Sequence, residues 1–142
     1  MKTPFHLILL KAFHAQRNRV RPSMAEIGLS PGQPKILSHL ASHDRCMQKD
    51  LAAVCEIEPA TVSKLLNGME EAVLVRRELA QGDKRAGCVS ITDKGRALQA
   101  QARTRFEEIV ARELDGFSER EKEEFTSYLC RMYKNLTGRE ME

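Results

Sequence analysis

The chain has 142 residues, of which 42% are hydrophobic and 30% charged; this fits one globular unit with a real core and excludes a disordered or fibrous chain. A net charge of +3 permits nucleic-acid binding but is too small to argue for it alone. The four cysteines lack metal-ligand spacing, so we expect reduced thiols and no bound cofactor. No segment has the pattern of an export signal or a membrane span, so we expect a cytoplasmic protein.

An apolar stripe near the start predicts a first helix that runs to about Val20. Its members are Phe5, Ile8, Leu9, Ala12 and Phe13. A second helix is predicted by "LSPGQPKILSHL", in which Ser30 could cap the helix, Pro31 suits its first position and Gln33 would complete a capping box.

Two short helices are predicted next, separated by a tight turn. "QKDLAAVC" should bury Leu51, Val54 and Cys55, and the following helix, which Pro59 opens, has an apolar face. That face is made by Val62, Leu65, Leu66 and Met69. This arrangement predicts a helix-turn-helix.

The opposite face of the second short helix is small, polar and cationic. Its residues are Ala60, Thr61, Lys64, Asn67 and Gly68. By itself such a face fits a solvated helix side at least as well as a binding surface.

A β-hairpin is predicted from residues 74–79 and 88–91, where apolar and polar residues alternate. Its tip carries Asp83, Lys84 and Arg85. These could be ordinary solvated turn residues. A helix-turn-helix followed at once by a hairpin is, however, the order of a winged helix, and a cationic tip could then contact phosphate or the minor groove. In that interpretation Asp83 would orient the guanidinium of Arg85.

The remaining sequence predicts two more helices. Thr92 should cap a long helix that ends near Asp115, and Ser118 with Glu121 forms a second capping box. The last helix carries an apolar seam suited to packing against another helix, made by Phe125, Leu129, Met132 and Leu136. The predicted fold is therefore mostly α, a winged helix-turn-helix with a small β-hairpin wing.

The sequence resembles the MarR family of bacterial winged-helix regulators. The family's wing pattern, Asp-x-Arg followed after three residues by aliphatic-x-aliphatic-Thr-x-x-Gly, is matched without a gap. The matching residues are Asp83, Arg85, Val89, Ile91, Thr92 and Gly95. "GLSPGQPKIL", "QKDLA", "PATVSKLL", "MEEAVLVRR" and "FSEREKEEF" also fall in the family's order, so the resemblance covers nearly the whole chain.

The resemblance implies one protomer over residues 1–142, with a winged-helix DNA-binding lobe over residues 30–95. Residues 1–20 and 96–142 would supply dimerisation helices. The implied protein is a homodimeric regulator, a repressor in our interpretation, that binds a pseudo-palindromic DNA operator. A small aromatic or phenolic effector would release it from that operator, and neither a membrane nor catalysis would be involved.

The same resemblance assigns DNA-facing roles. On the second short helix these fall to Thr61, Ser63, Lys64 and Asn67, and on the wing to Asp83, Lys84 and Arg85. Two helix caps depart from the family pattern, because Met47 stands where Thr or Ser is usual and Glu58 precedes the recognition helix.

Three alternatives stay open. His39 and His43 have the i, i+4 spacing of metal ligands, and Cys55 could sense oxidants although a small core residue fits its position better. A regulator of the same fold could thus respond to metals or thiol chemistry. The third alternative is a winged helix used only as a protein-interaction adaptor. An enzyme is not favoured, because the sequence has no P-loop, dinucleotide glycine pattern, HExxH or nucleophile elbow.

Overall fold

The computed structural model describes the backbone of residues 2–80 and 83–141, and the side chains of this part except those of residues 79, 80 and 83–86. Within it lie six helices and a three-stranded antiparallel sheet. The elements are α1 (Phe5–Glu26), α2 (Gln33–Ser42), β1 (Arg45–Met47), α3 (Gln48–Cys55), α4 (Pro59–Glu71), β2 (Val75–Ala80), β3 (Asp83–Ile91), α5 (Asp93–Glu113) and α6 (Glu119–Thr137). The predicted winged-helix fold class is confirmed.

The chain forms two compact units, Met1–Ile109 and Val110–Glu142. The first contains the helix-turn-helix, the sheet and the hydrophobic core. The second contains α6, which begins with the predicted capping box: the Ser118 hydroxyl accepts from the Glu121 N–H, and the Glu121 carboxylate accepts from the Ser118 N–H. Among residues 2–80 and 83–141, no helix combines the length and apolarity that a bilayer crossing requires.

Helix α1 is longer than the sequence indicated. It continues past Val20 and through Pro22, and ends where Gly28 adopts a left-handed conformation with φ +82°. The Gly28 N–H donates to the Ala25 carbonyl and the Leu29 N–H to the Met24 carbonyl, which satisfies two of the last carbonyls of the helix.

Helix α2 begins later than predicted. Gly32, with φ +91°, precedes the first helical residue Gln33, so Pro31 lies in a turn and its assignment to the helix was wrong. One half of the expected capping contact still forms, because the Gln33 side-chain oxygen accepts from the Ser30 N–H at 2.9 Å.

The helix-turn-helix consists of α3 and α4, joined by a turn in which Glu56 is left-handed with φ +53°. Leu51 and Cys55 are buried as predicted, but Val54 is 55% exposed and Ala52 is buried in its place. The buried face of α3 is therefore formed by Leu51, Ala52 and Cys55. It is rotated about the helix axis relative to the predicted face, which included Val54.

The sheet has the strand order β1-β3-β2. The wing, defined here as residues 75–91, contains the predicted hairpin of β2 and β3, with Val75 opposite Ile91 and Arg77 opposite Val89. The third strand was not predicted: β1 pairs with the other edge of β3 through Cys46 opposite Val89.

Thr92 joins the turn between α4 and β2 to the start of α5. The Thr92 Oγ1 donates to the Val73 carbonyl at 2.6 Å and accepts from the Gly95 N–H at 3.0 Å, while the Thr92 N–H donates to the Leu74 carbonyl at 3.1 Å. The expected cap at Thr92 is thus confirmed. Val73 itself is left-handed with φ +60°.

The close approach of α5 to the wing requires glycine at position 95. A Cβ placed there would lie 2.2 Å from the Leu74 carbonyl oxygen and 2.8 Å from the Ile91 side chain. The Leu74 oxygen belongs to the backbone and cannot rotate away, so the clash could be removed only by a shift of the backbone.

We expect Gly95→Ala to lower the free energy of unfolding by about 3 kcal/mol, because α5 and the wing must separate to admit the methyl group. Urea unfolding at a fixed protein concentration measures the change. Gly68→Ala is the matched control: its Cβ would meet only the Gln33 side chain at 3.7 Å, so the gain in helix propensity should raise stability by about 1 kcal/mol. Equal effects of the two substitutions would contradict the assignment.

Candidate DNA interface

The exposed side of α4 is fixed by what its other side buries. Val62, Leu66 and Met69 have no measurable exposure and hold the helix against the core. The exposed residues of α4 are Pro59, Ala60, Thr61, Lys64, Asn67, Gly68, Glu70 and Glu71; we call Ala60, Thr61, Lys64, Asn67 and Gly68 the polar face. Ser63 lies at its border and is half-buried. The structure thus places Thr61, Lys64 and Asn67 on one accessible surface.

The N-terminus of α4 has no side-chain cap. Glu58 occupies the cap position, as expected from the sequence, and makes no capping hydrogen bond, while Pro59 takes the first helical position. Amides at such a helix start can donate to a phosphate. The exposed Glu58 carboxylate would oppose that contact, so Lys64 is the clearest cation on this helix for an anionic partner.

A polar contact missed in the sequence links α4 to the wing. A terminal N–H of the Arg77 guanidinium donates to the Asn67 side-chain oxygen, and the same nitrogen lies 3.4 Å from the Glu70 carboxylate. Arg77 is only 16% exposed, far less than Glu70 at 45%. The contact joins the polar face to the base of the wing.

The wing tip carries the remaining predicted residues. The backbone of Asp83, Lys84 and Arg85 continues β3, with Asp83 opposite Ala80, but their side chains and the whole of residues 81 and 82 lie outside the described part of the structure. The structure therefore places these three residues on β3, which pairs with β2, the strand that contacts α4, and their DNA contacts stay predictions.

Two cysteine environments disfavour reactive thiolates. Cys55 is 7% exposed, as expected of a core residue, and burial raises its pKa. Burial is also the main cause that raises the pKa of Cys46, followed by the nearby Asp50 carboxylate. A raised pKa lowers the thiolate fraction at neutral pH, which favours packing roles for both residues.

The histidine pair lies at the end of α2. The rings of His39 and His43 stack with their centroids 4.3 Å apart and an angle of 13° between the planes. Among the side chains that the structure describes, which exclude those of residues 1, 79–86 and 142, no three His, Cys, Asp or Glu gather closely enough to hold a metal ion.

A cleft of about 690 Å³ lies between α2 and the first half of α5. Apolar side chains share its wall with hydroxyl, amide and cationic groups. Its lining comprises Pro34, Lys35, Ser38, Ala41, Ser42, Arg96, Gln99, Ala102, Arg103 and Phe106. Arg96 is held in place by the Asp44 carboxylate at 2.8 Å and the Ala41 carbonyl at 3.3 Å. This mixture suits a small amphipathic anion.

Comparison with known proteins identifies the family to which this fold belongs. A sequence model of the MarR family matches residues 27–86, which contain α2 to α4, β2 and the beginning of β3. The solved structure of transcriptional regulator PA3341 is 31% identical, with a TM-score of 0.80 over 96% of this chain and 100% of that one. The chain belongs to the MarR family.

Two further relatives are similar to this chain over most of its length. The HTH-type transcriptional repressor MdtR of Bacillus subtilis is 25% identical over 85% of this chain and 78% of its own length. The structure of S. aureus MepR in complex with DNA superposes with a TM-score of 0.83 over 94% of this chain and 99% of that one, at 21% identity. The MarR-family fold is that of transcriptional regulators.

One feature of this MarR-family site had a signal in the sequence. Arg77 follows Val75 by two residues in a predicted strand, so both side chains point to the same face of the sheet, and Val75 is buried. A cation on an inward face usually has a polar partner. That partner, Asn67, could not be named without the relative placement of α4 and β2.

Proposed function

We propose that this chain is a homodimeric repressor that binds a pseudo-palindromic operator in double-stranded DNA and is released by a small-molecule effector. The observation that carries the proposal is the polar face of α4, accessible along its length and joined by Arg77 to the base of a wing. An α-helix of this kind fits the major groove of DNA. As a transcription regulator the protein would act in the cytoplasm.

The residues divide by the chemistry they offer to DNA. On the recognition helix α4, Thr61 and Asn67 can form hydrogen bonds with base edges, whereas Lys64 and Ser63 suit phosphate oxygens. On the wing, Lys84 and Arg85 are proposed to contact phosphate or the minor groove, with Asp83 orienting Arg85. The repressor role is supported by the similarity to the transcriptional repressor MdtR of Bacillus subtilis.

We expect Lys64→Ala and Arg85→Ala each to weaken binding to a selected operator and to lower the salt dependence by about one unit per lost phosphate contact. Fluorescence anisotropy at several salt concentrations measures both quantities. If Arg85 enters the minor groove instead, its loss should be largest on narrow, A/T-rich flanks.

The control is Lys122→Ala, which removes the same charge from α6, where Lys122 pairs with Glu119. It should leave operator affinity unchanged. A parent protein without salt-dependent binding to any duplex would refute the proposal and favour the adaptor.

Dimerisation is supported by apolar side chains that a single chain leaves in water. On α1, Phe5 is 69% and Phe13 57% exposed; on α6, Tyr128 is 59% and Leu136 78% exposed. Large exposed apolar patches on a soluble chain usually mark an interface. A second copy of this chain is the proposed partner, since two recognition helices would match two operator half-sites.

Light scattering at micromolar concentration should give twice the mass of the chain, and Phe13→Asp should shift the protein toward the monomer. Because Phe13 is exposed in the single chain, the substitution should weaken association without disturbing the core. The control is Lys11→Asp, which introduces an acid at an exposed polar position of the same helix. A monomeric parent protein would contradict the proposed assembly.

The effector is proposed to bind the cleft between α2 and α5. Phe106 and Ala102 offer apolar contact, and Arg103 and Lys35 offer positive charge, so an aromatic carboxylate matches the lining. Binding there would act on α2, which belongs to the proposed DNA-binding lobe, and on α5, whose Leu98, Ala102 and Phe106 pack in the same hydrophobic core.

Salicylate should release the parent protein from its operator in anisotropy measurements, and the uncharged analogue benzyl alcohol should be much less effective. Ser38→Phe, at an exposed position that lines the cleft, should fill it and make release need about tenfold more salicylate. The control is Ser127→Phe on α6, which adds the same ring at an exposed serine that does not line the cleft. Equal sensitivity of parent and Ser38→Phe would place the effector elsewhere.

A further inference from the structure

The guanidinium of Arg77 limits the orientation of the Asn67 side-chain amide. Arg77 lies on the inward side of β2, opposite the buried Val89, and reaches α4, where it donates to the Asn67 side-chain oxygen. The Glu70 carboxylate at 3.4 Å holds the same group from a second direction. A cation that is 16% exposed and has two partners has little freedom to move away.

The chemistry of the two groups decides the orientation of the amide. A guanidinium has only donors, whereas the Asn side chain has an oxygen that accepts and a nitrogen that donates. The oxygen must therefore face Arg77. The amide nitrogen of Asn67 is left on the exposed side of the residue, on the polar face of α4.

We propose that Arg77 is a specificity-determining positioning residue, which orients the Asn67 amide so that its nitrogen, the hydrogen-bond donor, faces DNA and its oxygen is turned toward the guanidinium. The inference rests on the proposed DNA-binding function. In the major groove such a group suits acceptor edges, the O6 and N7 of guanine or the O4 of thymine. It disfavours the exocyclic amines of cytosine and adenine, which require an acceptor.

This assignment differs from the usual use of asparagine on a recognition helix. A bidentate contact with adenine needs both the oxygen and the nitrogen of the amide. Here the oxygen is directed toward Arg77, and turning the amide so that oxygen and nitrogen both face adenine would draw the oxygen away from a largely buried guanidinium that has two described partners. The fold thus selects among base edges through a residue that need not touch DNA.

The test compares Arg77→Met with Arg76→Met. Both remove one cation from adjacent positions of β2, but Arg76 is exposed and pairs across the strand with Ser90, on the other side of the sheet from Arg77. Asn67→Ala first locates the base pair that faces Asn67, since that pair should lose its sequence preference in a selection from random duplexes. Anisotropy then compares duplexes that differ only at this pair.

The parent protein and Arg76→Met should prefer guanine or thymine at that pair over cytosine by about tenfold, and Arg77→Met should lose most of this ratio because its amide can turn. A ratio of affinities cancels any uniform loss of electrostatic attraction. Unchanged preference in Arg77→Met would overturn the inference, as would a parent that prefers cytosine.

Asn67→Asp keeps the inference testable if Arg77→Met fails to fold. It retains an acceptor for Arg77 but replaces the exposed donor with a second acceptor, so the preference should shift toward cytosine or adenine amines at the same pair. Retained preference for guanine or thymine would refute the role of the donor. If the parent binds no duplex at all, the proposed function fails and not this orientation of the amide.

Discussion

The hydroxyl of Thr92 holds together the elements on which DNA recognition would depend. It bonds the turn that follows α4 through the Val73 carbonyl and the first turn of α5 through the Gly95 amide, while the Thr92 backbone N–H donates to Leu74, the residue before the wing. Thr92 is 5% exposed, so these bonds form away from competing water. Three elements are thereby fixed at one point, and the glycine at 95 allows the approach.

This junction gives a physical reason for two residues of the family's wing pattern. Threonine supplies both the cap of α5 and a donor to the preceding turn, and glycine removes a Cβ that would collide with a carbonyl. The pattern therefore combines structural residues, Thr92 and Gly95, with residues proposed for DNA contact, Asp83 and Arg85. Only the former are explained by the described structure.

Local chemistry was predictable from the sequence wherever neighbours in the chain decide it. The capping box at Ser118, the start of α4 at Pro59 and the buried face of that helix all follow from residues within one or two turns. Strand β1 was missed because three residues are too few for a periodic signal, and its pairing with β3 joins residues more than 40 positions apart. Pro31 was misplaced because Gly32 adopts a left-handed conformation that delays the helix.

In the candidate site, too, features decided by nearby residues were predictable and features decided by distant residues were not. The exposed residues of α4 followed from helical periodicity, because burial of Val62, Leu66 and Met69 determines which residues remain outside. The contact between Asn67 and Arg77 did not, since it depends on how α4 lies against β2. Likewise the cleft between α2 and α5 joins residues about 60 positions apart, which no local pattern could bring together.

The left-handed conformation of Val73 links its evolution to that of Thr92. A β-branched residue at φ +60° is unfavourable by about 1–2 kcal/mol, and here that conformation is held by hydrogen bonds on both sides of the peptide, one of them from Thr92. A homologue with glycine at 73 would not carry this cost and could tolerate the loss of the hydroxyl. The two positions should therefore show epistasis: whether a change at 92 is acceptable depends on which residue already occupies 73.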